Sequence, residues 1–456
     1  MVMEQVTVAD IVEAVGGRLL CGDPHTQVKH ISIDSRNMNG EDLFVPIIGA
    51  KVDAHRFIEG AFAAGAVAAF TSEHDEKADS HPWIRVEDTV KALQTLGAWY
   101  RNRLRMPVIG ITGSVGKTTT REMVTAALSA GKRVTGTSGN SNGQLGVPIT
   151  ICQADLTAEA AVLEMGMSEP GEMPRIAAVA RPDLAVVTNI GVSHIENLGS
   201  REGICQEKMH ITDGFGPDQT AILNGDEPLL RSFPKNAEFQ TVYYGMEAGN
   251  DYQAKDVHVE KGRTFFTAVT PKGELSLSLG VPGLHNVMNA LAALAVADQL
   301  EVPLPAAARK LEEFAGFARR LQILQHHEMT LIDDSYNASP ESMRAALQVL
   351  STTETKGRRA AVLADMLELG PDSLSFHYQV GEYAAQCPIE RYFLVGTKIR
   401  ALGEALEKAG KSVSYFETNE TAAAAVTAWV RAGDTVLLKG SNGMKLGEVL
   451  KELVKL

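Results

Sequence analysis

The chain has 456 residues, 45% hydrophobic and 22% charged, with 56 acidic against 43 basic side chains and a net charge of −13. That length exceeds what one compact core organises and points to about three domains of roughly 150 residues each. The composition excludes disordered, collagen-like and coiled-coil classes, and the acidic balance excludes a surface that coats nucleic acid or an anionic membrane.

The N-terminal stretch MVMEQVTVAD lacks the basic and then apolar blocks of a signal peptide, and no apolar run is long enough to span a bilayer. Cys21, Cys152, Cys205 and Cys387 are scattered without a CxxC pair, so they read as reduced core thiols. The expectation is a cytoplasmic protein with no membrane insertion and no nucleic-acid partner.

Residues 1–105 mix short helices and strands. Thr7 is placed to cap a helix through Ile11 and Val15, with Asp10 near its positive end. Strand-like runs follow at Val28–Ile33 and Leu43–Ile48, then a helix over Arg56–Ala64, a strand at Ala66–Phe70 and a helix over Thr89–Arg101. The basic stretch Arg101–Arg105, closed by Met106-Pro107, reads as a linker.

From Val108 apolar strands alternate with helices. Strands are expected at Val108–Thr112, Val134–Thr137, Ala160–Met165 and Leu184–Thr188, with helices over Lys117–Ala130 and near Gly171–Ala180. That alternation predicts a mostly parallel sheet covered on both faces. Between Tyr252 and Val281 the character turns β-rich, with Lys261-Gly262 and Lys272-Gly273 as turn signals, which suggests an antiparallel annex. A helix over Asn286–Asp298 and the segment to Phe314 complete this block.

Beyond Gly316, strands at Thr330–Asp333, Ala360–Ala364, Tyr392–Val395, Val413–Phe416 and Thr435–Leu438 each precede a helical stretch. This is a Rossmann-like doubly wound pattern without GxGxxG, so it does not indicate a dinucleotide. The fold class is α/β in three domains. Residues 1–105 form a small α/β domain, 106–315 a central P-loop parallel sheet with its annex, and 316–456 the doubly wound domain.

The strongest chemical signal is Gly110–Thr120, GITGSVGKTTT, between a strand and a helix. Glycines at Gly113 and Gly116 let backbone N–H groups surround phosphate oxygens where the helix dipole favours an anion. Lys117 is placed for the β- and γ-phosphates, and the Thr118 hydroxyl for Mg²⁺. The strict GxxxxGK[ST] spacing is not met, because Ile111 stands where its first glycine belongs. A plain glycine-rich turn is the alternative, and the GKT triplet in this context favours ATP. Glu164 ends an apolar strand at the same end of the sheet and suits a Mg²⁺ ligand, although a glutamate there is often just solvated. Asn189, His194 and Lys208 follow the next strand, where open α/β sheets bind ligands. Asn286 opens a helix and could contact a base or merely cap.

Together GITGSVGKTTT, the LEMG glutamate, TNIG…H…K, GLHN…NA, Arg320, DDSYNASP and DMLELG resemble the Mur ligases, ATP-dependent enzymes of peptidoglycan assembly. The N-terminal Asp34–Arg36, Leu43-Phe44 and Asp53–Phe57 patterns extend the resemblance over nearly the whole chain. GNSNGQLGVP at Gly139–Pro148 and SYNASPESM at Ser335–Met343 are similar to the dipeptide-adding members, and the DNPR segment of the diaminopimelate-adding members is absent. Gly143 stands where the family pattern has asparagine, Ala54 where it has glycine, and SNGM where it has SRxM.

The resemblance implies an amide ligase that joins D-alanyl-D-alanine to UDP-N-acetylmuramoyl-tripeptide through an acyl phosphate. It implies that Lys117, Glu164, His194 and Lys208 are catalytic. ATP would be held by Gly113, Gly116, Lys117, Thr118, Thr119, Asn286, Arg320, Asp334, Tyr336 and Asn337. Two Mg²⁺ sites would use Thr118, Glu164, His194 and Lys208, the last as a CO₂-derived carbamate. Ser35 and Arg36 would contact the UDP end of the acceptor, and Asn140 and Asn142 its muramoyl-peptide part. The protein is expected to act as a monomer. The alternatives are a sister ligase adding one amino acid and a non-catalytic nucleotide-binding module.

Overall fold

The computed structural model of the protein describes residues 2–233, 238–260 and 262–455. Near the N-terminus, β1 (Arg18–Cys21), β2 (His30–Ser32), β3 (Asp42–Phe44), β4 (Ala66–Thr71) and β5 (Trp83–Arg85) form one sheet in the order β1-β5-β4-β3-β2. Only the β1–β5 pair is antiparallel. Thr7 caps the first helix, Val8–Val15, in a reciprocal box with Asp10. The helix expected over Arg56–Ala64 begins as a tighter turn, Ala54–Phe57, because the Asp53 carboxylate accepts from His55 N–H; Ile58–Ala63 continues it. Strands β1 and β5 are additions to the sequence reading.

The helix Thr89–Arg101 starts at Asp88, whose carboxylate accepts from Val90 and Lys91 N–H. Its end corrects the reading of Arg101–Arg105 as a plain linker. Arg101 is buried, and its guanidinium donates to the carbonyls of Ala180 at 2.7 Å and Arg181 at 2.9 Å and to Asp183 at 3.1 Å. An arginine can sit inside when its fork of donors meets this many acceptors.

The central sheet contains β6 (Val108–Thr112), β7 (Val134–Gly136), β8 (Ala160–Glu164), β9 (Leu184–Val187), β10 (Thr220–Asn224), β11 (Gln240–Gly245), β12 (Tyr252–Glu260), β13 (Arg263–Thr270) and β14 (Gly273–Leu279). Its order is β14-β13-β12-β11-β10-β9-β6-β8-β7, parallel from β7 to β12 and antiparallel through β13 and β14. The expected annex is therefore the far edge of the same sheet. Thr270 pairs with Gly273 across the Lys272-Gly273 turn, while Lys261 of the other turn lies outside the described residues. The helix Leu284–Gln299 is buried almost all round and packs against Lys117–Leu128.

The last sheet runs β15-β16-β20-β17-β18-β19, from β15 (Gln322–His326), β16 (Met329–Asp334), β17 (Arg359–Ala364), β18 (Arg391–Val395), β19 (Ser412–Phe416) and β20 (Thr435–Lys439). The five expected strands are parallel; β15 is an added antiparallel edge paired to β16. Separate apolar clusters cover its two faces. No described helix is long and apolar enough to cross a membrane.

Candidate active site

The turn after β6 is shaped by contact from below. Gly113 has φ +146°, and a Cβ there would lie 1.8 Å from Thr188 Oγ1, so only glycine lets the loop approach β9. Gly116, at φ +87°, opens the helix Lys117–Leu128. Thr188 donates to Val115 O at 2.6 Å, Asn189 Oδ1 accepts from Val115 N–H at 2.9 Å, and Asn189 O accepts from Ser114 N–H at 3.1 Å. These bonds hold the loop as a cradle with its glycine-spaced amides available to an anion. Lys117 folds over it, donating to Gly113 O at 2.9 Å. Burial pushes the Lys117 ammonium down in pKa, Glu164 opposes this, and Arg320 adds to it.

Glu164 ends β8, the neighbour of β6, and is buried at the loop's mouth. Its Oε2 accepts from Thr118 Oγ1 at 2.9 Å, and its Oε1 from Asn142 Nδ2 at 2.8 Å. Arg121, buried one helical turn beyond Lys117, stands 3.5 Å from Oε2 and donates to Gly139 O at 2.9 Å. The structure brings Asn142 to the carboxylate at the phosphate end of the cavity.

His194 and Lys208 approach from the loop after β9 and from the helix Arg201–Met209. His194 is left-handed, at φ +62°, and its Nδ1 lies 2.8 Å from Glu368 Oε2 of the C-terminal sheet's loops. Burial lowers its pKa; Glu368 opposes that shift, and Lys117 and Lys208 reinforce it. Lys208 is buried. Burial, reinforced by the charge of Lys117 and opposed by Glu207, holds its pKa well below the ordinary lysine range.

The roof comes from beyond residue 315. Arg320 Nη2 donates to Thr118 Oγ1 at 3.1 Å, and its guanidinium sits 3.9 Å from the centre of the Tyr336 ring. Arg320 Nε is buried with no partner among the described residues. Asp334 ends β16, accepting from Leu321 N–H and from the buried Lys439, which also donates to Asn337 O at 3.0 Å. On the opposite wall Asn286 donates to Pro282 O at 2.7 Å and accepts from Asn289 at 3.2 Å. Gly116, Lys117, Thr118, Thr119, Glu164, His194, Asn286, Arg320, Asp334, Tyr336 and Asn337 all line one cavity of about 440 Å³. Its cations converge on a space whose deepest carboxylate is Glu164, a setting suited to a polyphosphate.

Residues 27–101 match the Mur ligase family catalytic domain, 111–297 the Mur ligase middle domain, and 319–442 the Mur ligase glutamate ligase domain. A relative from Bacillus subtilis, UDP-N-acetylmuramoyl-tripeptide--D-alanyl-D-alanine ligase, is 40% identical over 98% of this chain and 98% of its own. The chain belongs to the Mur ligase family. A crystal structure of MurF from Acinetobacter baumannii aligns at TM-score 0.90 and 30% identity over 100% of both chains. The MurF ligase from Thermotoga maritima, crystallised in complex with ADP, aligns at 0.83 and 28% over 94% of this chain and 97% of that one.

Five expected site residues of this Mur ligase do not line the cavity: Gly113, Lys208, Ser35, Arg36 and Asn140. Arg36 is exposed and forms a fork on Asp34, with both N–O distances 2.8 Å, holding that carboxyl down at about 2. Ser35 stands beside it, far along the chain from the phosphate loop. Asn140 is exposed and lines a second cavity of about 350 Å³ with His194, Tyr336, Glu368 and Asn442. The Asp53-x-His55 motif is a staple: His55 is buried, its Nδ1 is 2.6 Å from Asp53, and its Nε2 accepts from Ser72 N–H at 3.0 Å. Sequence reasoning missed Arg121, Asn289, Lys439 and Glu368. Asn289, Glu368 and Lys439 carried a signal, as parts of GLHN…NA, of DMLELG and of the Lys-Gly-Ser run after an apolar strand, and Arg121 carried none.

Proposed function

We propose that this chain joins D-alanyl-D-alanine to UDP-N-acetylmuramoyl-tripeptide in the cytoplasm, driven by ATP. One observation carries the reading: Thr118 of the phosphate loop bonds at once to Glu164 of the central sheet and to Arg320 of the third block. A nucleotide seat built from two blocks suits an enzyme that must bring a bound carboxylate, the acyl donor, and an incoming amine together.

A carboxylate is a poor electrophile. Its oxygen attacks the γ-phosphorus of ATP, the bond to the β-phosphate oxygen breaks, and an acyl phosphate and ADP result. The amine of the dipeptide then adds to the acyl carbon. The tetrahedral intermediate loses phosphate and a proton, leaving the amide. Lys117 and the loop amides would stabilise charge on the transferring phosphoryl group, and Arg320 would join them from above.

The residues fit two Mg²⁺ ions. Thr118 Oγ1 and Glu164 offer hard oxygens for the first. For the second, the buried amine of Lys208 is held toward its neutral form, the form that takes up CO₂. The resulting carbamate would supply an anionic oxygen beside His194. Bound there, Mg²⁺ supplies charge neutralisation to the phosphate oxygens. Asn286 and Asn337 would flank the base, Asp334 and Tyr336 would order the roof, and Thr119 would extend the phosphate seat. Ser35 and Arg36 would meet the UDP end, with Asn140 and Asn142 toward the muramoyl-peptide end.

Phosphate release in the presence of the UDP-muramoyl tripeptide tests the reading. Release that requires D-alanyl-D-alanine supports it. Release with single amino acids instead would make the chain a sister ligase, and no release with any amine would make it a binding module.

A further inference from the structure

The loop leaving β9 faces two ways. Gly191 N–H donates to Ser114 Oγ of the phosphate loop at 2.9 Å, while the next amide, Val192 N–H, donates to Glu341 Oε1 at 3.2 Å. Glu341 belongs to the helix Pro340–Thr352 of the C-terminal block. The side chain of Val192 is buried in that block's apolar cluster with Met343 and Leu347, although its backbone belongs to the loop leaving β9. Asn189, at the start of the same loop, holds the amides of Ser114 and Val115, and His194 lies near its end.

An acid in a helix's first turn ordinarily serves its own helix. Here Ser339 and Ser342 already form the cap, and the Glu341 carboxylate reaches across the junction instead. A Cβ placed on Gly191 would find its three nearest atoms all in that carboxyl group, at 2.8, 2.9 and 3.0 Å. Glu341 Oε2 is buried with no partner among the described residues. Such an arrangement costs free energy, and a group that serves only stability would normally avoid it.

We propose that Glu341 is a positioning residue that couples the placement of the C-terminal block to the phosphate loop and to His194. Resting on the nucleotide reading above, it assigns the transmission to two successive amides. Seating the block sets Val192 through Glu341, and Gly191 passes that placement to Ser114. Glu341 acts through the loop and holds no reacting atom.

The test uses the full chain and follows kcat, KM for ATP, ADP affinity by calorimetry and the thermal midpoint. Glu341→Ala should lower kcat about tenfold, the modest end of what misplacing a catalytic group costs. ADP affinity should stay within about threefold, well under the cost of losing a charged contact to the ligand. Glu341→Gln keeps an acceptor for Val192 N–H and should restore most of the rate. Gly191→Ala should mimic the loss, and adding it to Glu341→Ala should cost little more, because both changes break one contact.

A Glu341→Ala enzyme with kcat near wild type overturns the proposal. So does loss of ADP affinity in parallel with rate, which would make Glu341 a nucleotide contact. Strictly additive losses overturn it as well. If wild-type protein binds ADP but gives no dipeptide-dependent phosphate release, the ligase reading fails on its own. The coupling is then read by X-ray scattering: ADP should compact the wild type and Glu341→Gln but leave Glu341→Ala unchanged, and equal compaction of all three would overturn it.

Discussion

The central sheet meets its two neighbours in opposite ways. Toward the N-terminal sheet the boundary is apolar and continuous: one cluster runs from Val6 and Ile11 through Leu93, Leu96 and Tyr100 into Val147, Ile176 and Val187. Gly97 lets the helix Thr89–Arg101 lie against Pro148 and Val179, and Arg101 fastens its end. Toward the C-terminal sheet the boundary has a small apolar anchor, Val192 with Ile195, and is otherwise a set of single polar contacts: Arg320 on Thr118, Glu368 on His194, and Glu341 on Val192. Burial of apolar surface fixes a junction across its whole area, whereas a few charge-assisted bonds can be exchanged with a ligand. The lesson is that the N-terminal block is packed onto the central sheet as a fixture, whereas the block beyond residue 315 is held to it largely by contacts that can be exchanged.

The sharpest contrast comes from the nucleotide seat. Lys117→Ala should cut phosphate release by about 10²–10³-fold or more, the scale of removing a preorganised charge from a transferring group. Lys208→Ala should lose turnover comparably and regain part of it when a short-chain carboxylic acid is added; absence of any rescue would count against the carbamate. Neither change should alter the apolar junction, as urea unfolding would report.

At that junction the reverse is expected. Arg101→Ala strands the carbonyls of Ala180 and Arg181 and should lower stability by about 2–4 kcal/mol, while the folded fraction keeps its kcat. Gly97→Ala forces a Cβ to within 2.6 Å of Pro148 Cβ and 2.9 Å of its Cα. Overpacking of this kind should cost about 1–3 kcal/mol by denaturant titration. A stability change in these variants matched by loss of ADP affinity would break the contrast.

A further effect is pH-dependent. His285 lies on the polar side, its pKa pushed down to about 4 by burial and then by Lys439. Above about pH 6.5 it is neutral whether folded or unfolded, and its environment is fully tolerated. Between 6.5 and 4 the unfolded chain takes the proton first, so stability falls with pH, at most by about 1.4 kcal/mol per pH unit for one proton. Proteolysis in the segment 313–321 should therefore accelerate with acid before cleavage at 102–107 does. His285→Asn should flatten that dependence.

Much of the fold was legible because the strands buried on both faces, such as Val108–Thr112 and Leu184–Val187, read as plain apolar runs. The edge strands β1 and β15 and the short β5 beside β1 were not, because they are short or carry polar residues such as Gln322 and Gln325. The phosphate loop was legible by its spacing. What spacing could not reveal is partnership across long separations. Arg121 and Asn142 serve Glu164 and Glu368 serves His194, partnerships that exist only once the chain is folded. Arg101 misled for the same reason, since an arginine-rich stretch is usually solvated and only the carbonyls at the end of the helix Glu172–Ala180 explain its burial.

The shared apolar cluster also bears on how the chain is made. Synthesis delivers Leu93, Leu96 and Tyr100 well before Val147, Ile176 and Val179, the residues that cover them. The leading block therefore emerges from the ribosome with its last helix unsheltered and completes its core only when the strands up to β9 follow. The trailing block, whose two clusters are drawn from its own sheet and helices apart from Val192 and the partly buried Ile195, can close as soon as it is released. The order in which the molecule becomes protease-resistant should thus run from the middle outward, with the first-made segment among the later ones to mature.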